Sequence, residues 1–278
     1  VGLLGASAMD FSDLEGRLLI NIDSEEERVL TVSCAGACRT LCTLPVTRVP
    51  FDGETLRVKI SGLVGGHSGE EIHKGRANAN LLLGRALDEM SRAGALRLIR
   101  VSGGAKDNAI PREAEAVVLV ETGDYDEFAA AVKAYEETVR AEYAGIEDAV
   151  SVKVAEVGKP AEMLPKEVAG NLIKAVAACP DGVQRMSVAM PGLVQTSTNL
   201  ARVVSDGRTV KLQCLLRSSV NTEKEALGES IAALFALAGA KTELTGAYNG
   251  WNPDMESPIL KACLLYTSPS PRDGATSR

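Results

Sequence analysis

The chain is poor in several features, and each shortage excludes a class of protein. No run of residues approaches the uninterrupted apolar length that spans a bilayer, and no signal peptide is visible. There is no excess of positive charge: Lys and Arg number 30 against 37 Asp and Glu, a net charge of -7. That balance favours solubility and leaves no electrostatic footprint for nucleic acid. The start, "VGLLGASAMD", has no initiator Met, so the chain reads as beginning inside a longer protein. Cysteine is present without a ligand pattern. Cys34, Cys38 and Cys42 form a C-x3-C-x3-C run, but no second pair matches it, as zinc and iron–sulfur frameworks require. Their Thr, Leu and Val neighbours suggest a strand, where positions four apart share a face and free Cys packs as a small hydrophobe. Nothing argues for disulfides, which favours a reducing, cytoplasmic setting. Histidine is scarce: His67 and His73 are the two in the chain.

What is present reads as a folded protein, with 45% apolar and 24% charged residues. "GRLLINIDSEEERVL" holds an apolar run, Leu18 to Ile22, expected to be a strand buried on both faces as in a parallel sheet. "TLRVKIS" (55–61) alternates instead, as a strand of an antiparallel sheet with one wet face. The change of style places a domain boundary near Pro45 to Gly53. Beyond it the pattern predicts helices over 74–93, 125–143, 165–178 and 223–238. Strands are expected over 95–102, 113–121, 149–156, 184–190, 194–204, 208–217 and 240–247. "SRAGALRLIRVSGG" and "ALAGAKTELTGAYNG" rhyme as helix, Ala-Gly-Ala, strand, a weak internal repeat of an α+β unit. The tail "LLYTSPSPRDGATSR" breaks the style with prolines that no helix continues through, and is expected to be non-native.

Few residues are candidates for chemistry. Asp23 closes the first apolar run, where α/β sheets place their sites. Taken alone it reads equally as a cap beside a solvated acidic cluster, Glu25 to Glu27. In "GLVGGHSGEEIHKG" (62–75) the histidines stand six apart, on different faces of a helix, unlike the i, i+4 pair of H-E-x-x-H. His67 with Ser68 lacks an orienting acid for nucleophilic catalysis. A glycine turn with Ser68 capping the next helix accounts for the segment, with His67 as an electrophilic clamp the second reading. Asn108 and Arg112 flank a proline turn, and Asn199 and Arg217 fall on later strands. Arg217 interrupts the apolar run Cys214 to Leu216, a position that calls for a carboxylate partner, bound or structural.

"LINIDSEEE", "CAG", "GGHSGEEIHKGRANAN", "NAIPRE", "TSTNL", "RSS", "AGAKTE" and "GAYNGWNPD...SP", in that order, resemble the aminoacyl-histidine dipeptidases, or cytosolic non-specific dipeptidases. These are dinuclear zinc enzymes of the aminoacylase and carboxypeptidase clan. The resemblance implies part of an α/β zinc-peptidase domain with an inserted α+β lid that mediates homodimerisation. The expected division is 1–45 catalytic domain, 46–247 lid, 248–263 return to the catalytic domain, and 264–278 non-native tail. It further implies Asp23 as a ligand of one of two zinc ions, with Mn or Co as substitutes. His67 would polarise the scissile carbonyl, and Asn108, Asn199 and Arg217 would bind the dipeptide, Arg217 through its free carboxylate. His73 is expected to be structural. The family's H-x-D pair, bridging Asp, Glu-Glu pair and a further ligand His have no match here. The chain alone is therefore expected to bind zinc poorly and hydrolyse nothing. A related aminoacylase or tripeptidase, or a non-catalytic dimerisation module, are the alternatives.

Overall fold

The computed structural model describes residues 8–20, 30–53, 55–93, 96–120, 125–158 and 162–267. They fall into two units: Cys34–Asn252 is one, and the stretches outside it at either end are the other.

The larger unit is built on strands β1 (Gly36–Pro45), β2 (Val49–Pro50), β3 (Thr55–Ser61), β4 (Gly66–His67), β5 (Leu96–Gly103), β6 (Ala109–Ile110), β7 (Ala114–Val120), β8 (Ser151–Val157), β9 (Glu162–Met163), β10 (Gly182–Met186), β11 (Val194–Asp206), β12 (Thr209–Ser218) and β13 (Lys241–Tyr248). Helices α1 (Ala79–Ala93), α2 (Tyr125–Glu142), α3 (Lys166–Ala177) and α4 (Asn221–Leu237) lie between them. The main sheet has nine strands in the order β13-β1-β12-β11-β5-β7-β3-β8, with β10 paired to β11. Every pairing among the described strands is antiparallel.

That order is two copies of one arrangement. β8-β3-β7-β5 with α1 and α2 is a split β-α-β-β-α-β unit. β13-β1-β12-β11 with α3 and α4 is a second, joined to the first where Val203 and Val204 of β11 meet Gly103 and Ser102 of β5. The first copy is inserted between β1 and α3 of the second. A repeat of α+β units is present, but the rhyming junctions, α1–β5 and α4–β13, fall at non-equivalent places in the two copies, and β1 belongs to the second copy. Residues 36–45, expected in a separate domain, are hydrogen-bonded along their whole length to β12 and join the same sheet. Alternation cannot reveal this, because β1 is a strand in either assignment.

Period-2 patterning explains the layers. Leu56, Val58 and Ile60 of β3 are buried, and Arg57 and Lys59 face the other way, where Lys59 meets Glu113 at 2.6 Å. Leu82, Leu83, Ala86, Leu87 and Met90 of α1 form the stripe that packs on the apolar face, sharing one core with Val132, Leu172, Ile231 and Phe235 of the other helices. Burying each large side chain contributes roughly 1.5–3 kcal/mol relative to exposure. Cys38 and Cys42 lie on buried positions of β1, as four-residue spacing in a strand predicts, while Cys34 is exposed.

In the smaller unit, helix α5 (Pro258–Thr267) starts with Pro258 at its first turn, where a missing N–H costs nothing. The strand expected over Leu18 to Ile22 is not found in its described part: 18–20 has no regular structure, and Leu18, Leu19 and Ile20 are exposed. An apolar run carries a tendency to be buried, and a strand needs a pairing edge, which these residues do not have. Residues 21–22 and the tail from 268 onward lie outside the described residues.

Candidate active site

The site is assembled on the sheet face opposite the helices, from the loop between β3 and α1, the loop between β5 and β7, and side chains of β11 and β12. The first loop opens with two glycines in left-handed or extended-positive conformation, Gly65 (φ 66) and Gly66 (φ 141), which other residues adopt only under strain. A Cβ on Gly66 would lie 2.4 Å from Glu71 Oε2 and closer still to Arg76 Nη1, so the glycine makes room for two charged side chains. Glu71 Oε2 accepts the His67 backbone N–H at 2.9 Å. Its Oε1 meets Arg76 Nη2 at 2.9 Å and Lys74 Nζ at 3.0 Å, and Arg76 in turn donates to the carbonyl of Gly65. This ring of contacts fixes the backbone on both sides of Gly66. The His67 N–H, then Lys74 and Arg76, hold the Glu71 carboxyl down at about 2.

The imidazole is oriented by the same loop. His67 Nδ1 accepts the N–H groups of Glu70, at 3.1 Å, and Gly69, at 3.3 Å. A ring nitrogen that accepts carries no proton in the neutral imidazole, so this network assigns the proton to Nε2 and makes that atom a donor. β4 pairs with β6, His67 opposite Ala109, and Ser68 N–H donates to the Asn108 carbonyl at 2.9 Å. Ser68 is not the cap of the next helix. That role falls to Asn78, whose Oδ1 accepts the Asn80 N–H at 3.0 Å, while the Ser68 hydroxyl is buried without a partner. The helix expected over 74–93 starts at Ala79: Lys74 ends a short 3-10 turn, 72–74, and 75–78 have no regular structure.

Arg217 extends from β12 between Ala37 and Ser197 of the flanking strands. Its Nε is buried and makes no hydrogen bond among the described residues. A Cβ built on Gly69 would lie 3.1 Å from that Nε and 3.1 Å from His67 Cε1. The guanidinium and the imidazole thus converge on one glycine, and Arg217 Nε is a buried donor with no acceptor among the described residues.

Asn108 is exposed on the loop before β6, and the neighbouring Asp107 is tied to Arg39 of β1 at 2.8 Å. Burial opposes the Asp107 charge, but Arg39 outweighs it and holds the carboxyl below its usual range. Asn199 is placed differently. It is fully buried, its Nδ2 donates to the Ala109 carbonyl at 2.9 Å, and its Oδ1 accepts from Asn78 Nδ2 at 3.2 Å. Its amide is engaged by the protein on both sides and supports the strand opposite His67. Asn78 also donates to Asp181 Oδ1 at 2.9 Å, which takes the Leu200 N–H at 2.7 Å. Arg112 donates to the Leu63 carbonyl at 3.1 Å, and His73 is exposed. Asp23 lies outside the described residues. Among the described residues no group of three or more His, Cys, Asp or Glu could hold a metal ion. Reasoning from the sequence did not single out Glu71, Gly69, Arg76, Asn78 or Asp181. Glu71 and Arg76 stand in the quoted histidine motif, but only the glycine turn shows why charges are needed there.

Residues 58–147 match the peptidase dimerisation domain, a span that includes most of the first β-α-β-β-α-β copy. The chain is 38% identical over 261 residues to the cytosol non-specific dipeptidase of Escherichia coli (strain K12), covering 93% of this chain and 54% of that protein. The crystal structure of the aminoacylhistidine dipeptidase from Vibrio alginolyticus superposes with a TM-score of 0.88 at 36% identity, covering 92% of this chain and 53% of that one. The chain thus spans about half the length of these relatives. No helix among the described residues is long and apolar enough to cross a membrane.

Proposed function

From a chain related to the cytosolic aminoacyl-histidine dipeptidases over 93% of its length, we propose that this protein supplies the substrate-clamping lid of a metal-dependent dipeptidase. The observation that carries this reading is the convergence of the His67 and Arg217 side chains on Gly69. Arg217 takes the free carboxylate of a dipeptide through its guanidinium, and His67 donates from Nε2–H to the scissile carbonyl oxygen. Charge that grows on that oxygen in the transition state strengthens the second bond more than the ground state does, an effect typically worth about 3–4 kcal/mol. Asn108, exposed on the adjoining loop, is placed to contact the peptide backbone, whereas Asn199 acts behind β6. Fixing both ends of the substrate converts binding energy into orientation. The matched dimerisation domain supports a homodimer, and the cytosol is the compartment carried over from the relative's name.

The described residues do not fit a metal, zinc included, so the chemistry proposed for this chain is confined to binding and polarising the substrate. A second reading is a binding module of this family without catalysis. Both readings require carboxylate recognition, and titration by NMR tests it. An Xaa-His dipeptide shifts the Gly69 amide and the His67 imidazole of the full chain, its C-terminal amide binds at least about tenfold more weakly, and Arg217→Met abolishes the difference. Equal binding of dipeptide and amide overturns the clamp. Loss of hydrolysis in the His67→Ala variant of the full-length relative, with binding kept, separates the enzyme from the module.

A further inference from the structure

The loop that carries His67 begins and ends on one side chain. Glu147 sits in the turn after α2, where the Tyr143 carbonyl accepts its N–H at 2.9 Å and Gly145 adopts φ 79 to reverse the chain. The residue is 1% exposed. Its Oε2 accepts the N–H of Val64 at 2.7 Å, and its Oε1 accepts the N–H of Ala77 at 3.0 Å. Val64 immediately precedes the Gly65-Gly66 turn, and Ala77 immediately follows Arg76. The same turn runs close to the segment at its start: a Cβ on Gly62, just before the loop, would lie 2.0 Å from the Ala149 carbonyl oxygen.

Each half of this arrangement needs the other. A buried carboxylate without hydrogen-bond donors is strongly disfavoured, and two loop N–H groups without an acceptor would each lose a full hydrogen bond. Closing the ends on one carboxylate makes 64–77 a compact loop of the Ω type, with its conformation set from the base upward. Within it, Glu71 and Arg76 fix the glycine turn, and the Gly69 and Glu70 amides orient the imidazole. We propose that Glu147 is the positioning residue of the His67 loop: it closes the loop at its base and sets where the imidazole stands, without touching substrate. This rests on His67 as the clamp, and its test reads the imidazole rather than turnover.

With two histidines in the chain, selective ¹⁵N-histidine labelling yields two imidazoles, and exposed His73 is an internal reference for a solvent-averaged ring. Glu147→Gln keeps the length of the side chain but turns one acceptor into a donor facing an N–H. The expected result is amide exchange at Val64 or Ala77 faster by about tenfold or more. In the same variant the His67 nitrogen shifts move from the Nε2–H pattern toward those of His73. In the unaltered chain, Val64 and Ala77 open together and show protection within about threefold of each other. A folded Glu147→Gln variant with unchanged His67 shifts overturns the proposal, because a residue that only stabilises the unit would lower its unfolding midpoint and leave those shifts in place. If the variant does not fold, the two amides of the unaltered chain decide: protection differing by more than about tenfold overturns it. A dipeptide that binds without perturbing His67, in a chain showing all these signals, would defeat the clamp and leave the role of Glu147 standing.

Discussion

The guanidinium of Arg217 and the imidazole of His67, from strands far apart in sequence, converge on Gly69: Arg217 Nε and His67 Cε1 each lie 3.1 Å from where a Cβ on that glycine would be. Arg217 Nε has no acceptor among the described residues, and the proposed dipeptide clamp rests on this pair.

Gly69→Ala therefore acts on the site and spares the core. Its methyl group displaces the Arg217 side chain, whose Nε has no hydrogen bond to lose. Dipeptide affinity, followed by NMR titration, falls about tenfold or more. The urea unfolding midpoint changes by less than the equivalent of about 1 kcal/mol. Unchanged affinity would show that the pair does not face the ligand.

The Glu71 ring predicts a defined loss in acid. A carboxyl held at about 2 in the folded chain stabilises it fully above the ordinary carboxylate value, about 4.3, and that contribution fades as pH falls toward about 2. Unfolding curves of the chain and of Glu71→Gln should differ at pH 6 and converge in strong acid. The His67 N–H keeps an acceptor in Gln, so the difference reports the ion pairs with Arg76 and Lys74. Curves that stay parallel down to acid unfolding would show the ring to be without linkage.

Asp181 behaves in the opposite sense. Burial pushes its carboxyl up to about 7, against the Leu200 N–H and the Asn78 amide, which favour the charged form. Between about pH 4 and 7 the folded chain holds a proton that the unfolded chain has lost, so stability falls as pH rises through this window. Asp181→Asn removes that loss. The variant should gain on the order of 4 kcal/mol over the unaltered chain at pH 8, and nothing near pH 4, in urea titrations at the two values. A pH-independent difference would mean that Asp181 ionises normally.

Much of the architecture was legible in the residues. The α1 stripe from Leu82 to Met90 and the β3 alternation from Leu56 to Ile60 each repeat a local period, and the structure follows both. The apolar run at Leu18 carried no such period and misled, since hydrophobicity alone names no pairing partner. Ser68 looked like a helix cap because Ser precedes a helical pattern, yet the intervening 3-10 turn hands that role to Asn78.

The sequence by itself determined the alternation of strands and helices and the candidacy of His67 in its glycine turn. These are properties of neighbouring residues, and periods of 2 and 3.6 record which face each element buries. Only the tertiary structure decided that β1 closes the second half of the sheet, that Arg217 reaches Gly69, that Asn199 is enclosed, and that Glu147 holds the His67 loop at both ends. Each of those rests on one side chain meeting a partner remote in sequence. Such a meeting depends on strand order and register, and a single residue leaves no periodic trace of it.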